Sequence, residues 1–205
     1  MVTTVIREDF RDAMLDAAER LLSLHGFRNL TLDAIIAEAG VDPGLIDGHS
    51  LTKEEVVLEH VDRIVERLRD RLWRIERSGA AAAVRLRQML VTRVLFRFDS
   101  ILQYSQSLNE LLADLRPQLL ARRERYFDAE ALILSEVLIQ GRDALEFDVQ
   151  DPLATGYALL DATNSLLPYG LSVAELGERL EVEDRAKAVA DILVQGVLHR
   201  PAPPA

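Results

Sequence analysis

The sequence predicts an all-α protein, an N-terminal three-helix unit of helix-turn-helix layout followed by a helical bundle. Three observations carry this. Apolar residues recur at three- and four-residue steps almost throughout, and no sustained alternating stretch competes with them. Glycine and proline are sparse, at 10 and 7 of 205 residues. Hydrophobic residues make up 49% of the chain, which suits a folded protein with a substantial core.

Phe10, Ala13, Ala17, Leu21 and Leu24 form one face of a first helix, ended by Gly26 in the usual C-terminal manner. Thr31 is the expected N-cap of a second helix bearing Leu32, Ile35 and Ile36. Gly40 breaks that helix, and a short third one is expected over about 42–47. Thr52 then caps a long helix with the apolar stripe Val57, Val61, Ile64, Leu68, Leu72 and Ile75. Beyond Ser78-Gly79, one helix is expected over about 80–98 (Val84, Met89, Leu90, Val94, Leu95) and another near 101–114. A further helix is expected from Pro117, set in its first turn, to Gly141. Asp151-Pro152 reads as an N-cap and N1 pair opening a helix to about Leu167, closed by Pro168-Tyr169-Gly170. A last helix runs from about Val182 to Leu198, and the tail 201–205 has too many prolines to stay helical. The chain therefore divides into a unit over 1–52, a bundle over 53–200 and a loose tail.

Composition excludes several classes. With no cysteine, disulfide scaffolds, cysteine-ligated zinc and cysteine nucleophiles are ruled out together. The opening MVTTVIREDF does not read as a secretory signal, and no run of about 18 apolar residues occurs. A cytoplasmic protein with no membrane partner is expected. His25, His49, His60 and His199 show no ligand spacing, and no phosphate loop or serine-elbow motif occurs, so neither a metal, a cofactor nor an enzyme is expected. The net charge of −10 is uneven. Residues 1–60 hold five bases (Arg7, Arg11, Arg20, Arg28, Lys53) and twelve acids, a net of −7, whereas the other 145 residues hold 19 bases and 22 acids. The arginine runs 63–74 and 122–125 alternate with acids and read as solvated helix faces.

Residues 31–59 place a helix, a tight glycine turn, a short second helix and then a long one, the layout that sets a helix in the major groove of DNA. The stretch AAERLLSLHGFRNLTLDAIIAEAGV (17–41) resembles the TetR family of bacterial ligand-responsive repressors. Gly26-Phe27, Thr31, Ile36-Ala37 and Ala39-Gly40-Val41 fit that family's template, as does the Lys-Glu-Glu at 53–55. The second half is similar more loosely, at Gly141, Phe147, 153–171 and the closing ILVQGVL. The resemblance implies a homodimer on a palindromic duplex, released by a small-molecule effector, with DNA contacts from Thr31, Asp42, Pro43, Gly44, Leu45, Asp47, His49 and Lys53. The segment departs from the family where Asp42 brings a negative charge, Leu45 replaces a hydroxyl, Asp47 replaces an aromatic and Ser50 replaces a phenylalanine. Acids there repel phosphates, although an aspartate can accept from cytosine N4. A second reading thus stays open, in which the fold is kept, DNA recognition is lost, and the protein binds small molecules or a partner.

The family's effector pocket would draw on Trp73, Phe96, Phe98, Gln103, Tyr104, Phe127, Thr163 and Asn164, an apolar set with a few polar groups. Each aromatic also suits a plain core position. The last two helices would pair with those of a second copy through Tyr157, Leu160, Leu167, Ile192, Leu193 and Val197, four helices in all.

Overall fold

The computed structural model describes residues 2–46, 51–102, 108–167 and 177–199. In chain order these form α1 (Val2–His25), α2 (Leu32–Ala39), a 3-10 turn (Pro43–Leu45), α3 (Lys53–Glu76), α4 (Ala82–Leu102), α5 (Leu108–Asp143), α6 (Pro152–Asn164) and α7 (Arg179–Val197). Among the described residues there is no strand, only an isolated antiparallel bridge between Phe147 and Leu198. The chain is all-α, as its periodicity requires. The sequence reading divided it between residues 52 and 53. By compactness, one unit comprises 1–65 with 103–121, and the other 66–102 with 122–205. Two continuous helices, α3 and α5, therefore contribute to both.

In the first unit, α1 buries Met14, Leu15, Ala17, Ala18 and Leu22. The buried stripe is rotated from the expected one: Met14, Ala18 and Leu22 stack at four-residue steps, and Leu24 is 69% exposed. They pack with Phe27, Leu30, Ile35, Ile36, Ile46, Val56, Val57 and Leu58. Local signals fix the helix ends. Thr31 Oγ1 accepts from Ala34 N at 3.1 Å. Gly40 closes α2 at φ +65°, and Val41 N donates back to Ile36 O at 3.3 Å. At α3, Thr52 Oγ1 accepts from Glu55 N (3.2 Å) while Glu55 Oε2 accepts from Thr52 N (2.8 Å), a reciprocal capping box.

The third helix expected over 42–47 is instead the 3-10 turn. Asp42 Oδ1 accepts from Gly44 N at 2.9 Å, a turn-forming bond, and Gly44 is a poor helix former. Residues 47–50 lie outside the described part. The two helices expected around Pro117 are one, α5, with Pro117 inside it. A mid-helix proline costs about 3 kcal/mol. Burial of Leu111 and Leu115 in the first unit's core, at about 1.5–3 kcal/mol each, offsets that cost. The proline ring itself is exposed.

The second unit's core joins Leu68 and Leu72 of α3, Leu86, Met89 and Leu90 of α4, and Ile133, Leu134, Val137 and Leu138 of α5. Phe147, Leu159, Leu160, Ala190 and Val194 complete it. Val84, expected inside, is 46% exposed. Helix α4 packs along α7, and α6 against both. Asp151 caps α6 through Ala154 N at 3.0 Å, with Pro152 at the first turn, as the sequence anticipated. Glu146 caps α4, accepting from Ala82 N and Ala83 N at 3.2 Å each. Arg85 Nη1 donates to Glu76 O (2.7 Å) and Gln140 Oε1 (2.5 Å), tying the end of α3 to α4 and α5.

Gly156 is where α5 and α6 approach most tightly, since a Cβ there would stand 2.9 Å from Ala131 O. Carbonyl backbone cannot yield as a side chain can. Gly156→Ala is expected to lower stability by about 1–3 kcal/mol, read from the urea midpoint. An unchanged midpoint would show that the helices have room to part.

Candidate nucleic-acid interface and buried polar cluster

Residues 31–46 present the face that the layout assigns to DNA. Thr31, Asp42, Pro43 and Gly44 are exposed there, and the Thr31 and Asp42 side chains already cap α2's start and the 3-10 turn. Leu45 ends that turn. Asp47 and His49 fall outside the described residues, as does the side chain of Arg7.

Lys53 has a structural occupation. Its ammonium donates to Leu30 O at 2.9 Å and Phe27 O at 3.3 Å and sits 4.7 Å from the centre of the Phe27 ring. It thus holds together the turn joining α1 to α2. The other cations near it are also engaged. Arg11 pairs with Glu59 (2.8 Å), Arg20 with Glu38 (2.9 Å), and Arg63 with Asp16 and Glu19 (2.7 and 3.0 Å). Arg28 donates its backbone N–H to Glu110 at 3.1 Å, with its Nε 4.0 Å from the same carboxylate. Residues 1–65 and 103–121 together hold seven bases and fifteen acids. His60, buried on α3, lies beside Arg63 (3.4 Å) and Glu19 (4.0 Å).

The second unit holds a polar cluster in its interior. Arg93 of α4 is 1% exposed and Glu130 of α5 is 0% exposed. Arg93 Nε donates to Glu130 Oε2 at 2.6 Å, Nη1 to Thr163 Oγ1 at 2.8 Å and Leu160 O at 3.4 Å, and Nη2 to Asn164 Oδ1 at 3.0 Å. Arg97, one turn further along α4, donates to Glu130 Oε1. The Phe127 ring lies 5.3 Å from the Arg93 guanidinium and 5.4 Å from that of Arg123. Burial alone would push the Glu130 carboxyl up, but the charges and hydrogen bonds of Arg97 and Arg93 outweigh it and hold the group below the usual carboxylate value.

Arg93 therefore brings together three residues of the expected pocket, Phe127, Thr163 and Asn164. Phe98 is buried, while Trp73 and Phe96 are half-buried beneath the guanidiniums of Arg77 (5.3 Å) and Arg71 (4.6 Å). Gln103 and Tyr104 lie outside the described residues. The sequence reading missed Arg93, Arg97 and Glu130. Their signal was available: two arginines four apart interrupt the apolar run MLVTRVLFRF (89–98), and a lone glutamate interrupts AEALIL (129–134).

Of the residues assigned to dimerisation, Leu160 and Leu167 are buried within the chain itself and offer no surface to a second copy. Leu193 and Val197 are partly buried against the same core, and Tyr157 donates its hydroxyl to Asp128 at 2.6 Å. Ile192, at 72% exposure, stands outward on α7, and Ala158, Asp161 and Ala162 are exposed on α6. The α-helical period, which turns Leu160 inward, turns these outward. Among the described residues no helix is long and apolar enough to cross a membrane.

Residues 14–59, spanning α1 to the start of α3, match the family model of bacterial regulatory proteins, tetR family. Over this segment the chain is similar to the DNA-binding domain of the TetR family. Solved TetR-like structures share the fold over nearly the whole length. A transcriptional regulator from Cytophaga hutchinsonii is 18% identical with a TM-score of 0.74, covering 91% of this chain and 97% of its own. A TetR transcription regulator from Haloarcula marismortui is 20% identical with a TM-score of 0.71, at 93% and 99% coverage. SmeT, the repressor of the Stenotrophomonas maltophilia multidrug efflux pump SmeDEF, is 20% identical with a TM-score of 0.65, at 93% and 92% coverage. SmeT is also known in complex with triclosan. Among curated proteins, no sequence matches.

Two outcomes follow from these contacts. Lys53→Met is expected to destabilise the N-terminal unit by about 1–3 kcal/mol, because two carbonyls lose their donor; unchanged urea denaturation would show the ammonium to be dispensable there. Glu130→Gln removes the counter-charge of two buried guanidiniums and is expected to cost about 3–5 kcal/mol. Since the folded-state pKa of Glu130 lies below its unfolded value, its contribution is complete above about pH 4.3 and fades as pH falls through the folded value. Subtracting the acid-unfolding curve of Glu130→Gln from that of the parent should reveal this loss; parallel curves would refute it.

Proposed function

We propose that the protein is a ligand-responsive transcriptional regulator, acting as a repressor, which binds a palindromic operator as a dimer and is released by a small molecule. The observation that carries this is the joining, through the single helix α3, of a TetR-type helix-turn-helix to a bundle with polar groups buried among aromatic residues. Ligand entry would shift the bundle helices, and α3 and α5 would pass the shift to the first unit, altering the spacing of the two recognition segments and so the operator affinity. Its place of action is then the cytoplasm, and no catalytic step is part of this reading. SmeT's triclosan complex shows that a protein of this fold takes an amphipathic small molecule.

A second reading is favoured by one observation. Every basic side chain described between residues 10 and 65 has a carboxylate or carbonyl partner, Lys53 included. Phosphate contacts would have to be taken from these pairings. On this reading the protein keeps the fold, binds ligand or a partner chain, and leaves DNA alone.

Selection from a random duplex pool at low salt separates the two. Recovery of a palindromic site is expected, with a shallow salt dependence, because log K falls by about 0.9 per decade of salt for each phosphate neutralised. No enrichment at about 50 mM salt, where phosphate contacts are strong, would eliminate the regulator reading.

A further inference from the structure

Helix α4 is joined to α7 by two arginine–aspartate pairs of opposite polarity. Near the start of α4, Arg87 donates through Nε and Nη2 to the two oxygens of Asp191, the second bond at 3.0 Å. Near its end, Asp99 accepts from Arg179 Nε at 2.8 Å and from Nη2 at 3.1 Å. Both are fork-to-fork contacts, the geometry in which a surface ion pair is strongest. The pairs stand the same distance apart on each helix, 87 to 99 and 179 to 191, so together they set one antiparallel register. Between them α7 carries Glu183 and Lys187, bonded to each other at 2.6 Å, and Glu183 also meets Arg179 at 3.0 Å. Along this line α7 therefore alternates in sign at every fourth residue, through Arg179, Glu183, Lys187 and Asp191.

The apolar side of α7 does not make that choice of register. Its buried stripe is Val182, Ala186, Ala190 and Val194, and the half-buried line beside it is Val189, Leu193 and Val197, each spaced by four. Moving α7 by one turn lays aliphatic residues where aliphatic residues lay, and such exchanges are well tolerated. The displacement would be about 6 Å, four residues at about 1.5 Å each. A backbone bridge ties Leu198 to Phe147, but it grips the connection between α5 and α6 rather than α4.

We infer that the six charges form a register lock that holds α7 against α4 and excludes the one-turn slip. Slipped one way, Arg87 faces Lys187 and Asp99 passes beyond the start of α7. Slipped the other way, Asp99 faces Glu183 and Arg87 faces the uncharged Gln195. Each direction sets like charges together at one clamp and empties the other. One-turn ratchets of packed helices are a route by which proteins switch. Here that route is closed between α4 and α7, which move as one body. The lock also fixes the height at which α7 presents its outer side, where Ile192 stands exposed.

The test begins with a cycle of Arg87→Glu, Asp191→Arg and the two together in the full-length protein. Each single reversal is expected to lower the melting temperature by about 2–4 °C, and the pair to recover at least about half of the summed loss. In 1 M sodium chloride, where charges are screened beyond about 3 Å, these differences are expected to shrink. Losses that simply add at both salt concentrations overturn the inference. Register is read separately. The chain has no cysteine, so nitroxide labels can be placed at Val84→Cys and Gln195→Cys, both exposed positions. Arg87→Glu with Asp99→Arg makes both clamps repulsive and is expected to add a second distance between the labels, displaced by up to about 6 Å. Should that variant not fold, Arg87→Glu alone is labelled. A single unchanged distance in the reversed protein shows that the apolar seam and the backbone bridge fix the register without the charges, and overturns the inference.

Discussion

The salt-bridged pair Arg93–Glu130 is the constraint on which the second unit is organised. A carboxylate with no solvent exposure is tolerable only if its partners are close and fixed, and both of its oxygens are taken by guanidiniums from α4. Arg93 in turn reaches the final turn of α6 with its remaining donors. Three helices are thereby locked in register by one side chain, amid a core of aliphatic residues, methionine and Phe147. Apolar packing alone leaves helices free to slide by small steps at little cost, because leucine against leucine is forgiving of register. A five-donor fork aimed at four fixed acceptors is not forgiving.

How much of this was legible in the sequence depends on the range of the interaction. The caps at Thr31, Thr52 and Asp151 and the left-handed glycine at 40 were readable, because each acts within three or four residues of itself. So was the TetR layout of 14–59, which is a string of such local signals. Pro117 misled because its local meaning, a helix start, was overruled by two leucines bound into a core supplied by other helices. Lys53 differs in kind. Its family position implies a phosphate contact, and the structure adds that its ammonium donates to carbonyls some twenty-odd positions earlier in the chain, a pairing that no local pattern announces. Arg93, Arg97 and Glu130 were visible as charges interrupting apolar runs, but only their mutual distance shows them to be one cluster rather than separate surface residues. Leu160 and Leu167, read as part of a dimer stripe, are buried within their own chain for a reason of phase: the most apolar face of α6 turns toward its own core.

The turn between α1 and α2 is held from two sides. Its carbonyls at Phe27 and Leu30 are held by Lys53 at the start of α3, and its amide at Arg28 is held by Glu110 in the first turn of α5. Those are the two helices that continue from the first compact unit into the second. Further along, α3 brings Leu68 and Leu72 to the second core and α5 brings Glu130 to the buried arginines. Lys53 and Glu110, opposite in charge and bound to opposite ends of the peptide dipole, fix the turn's orientation to both helices at once. Motion of α3 or α5 along its axis cannot leave the turn behind without breaking charge-assisted hydrogen bonds of about 1.5–3 kcal/mol each. Lys53 is thus a structural clamp on the turn that precedes the recognition segment, its ammonium shared between two carbonyls that would otherwise compete for water.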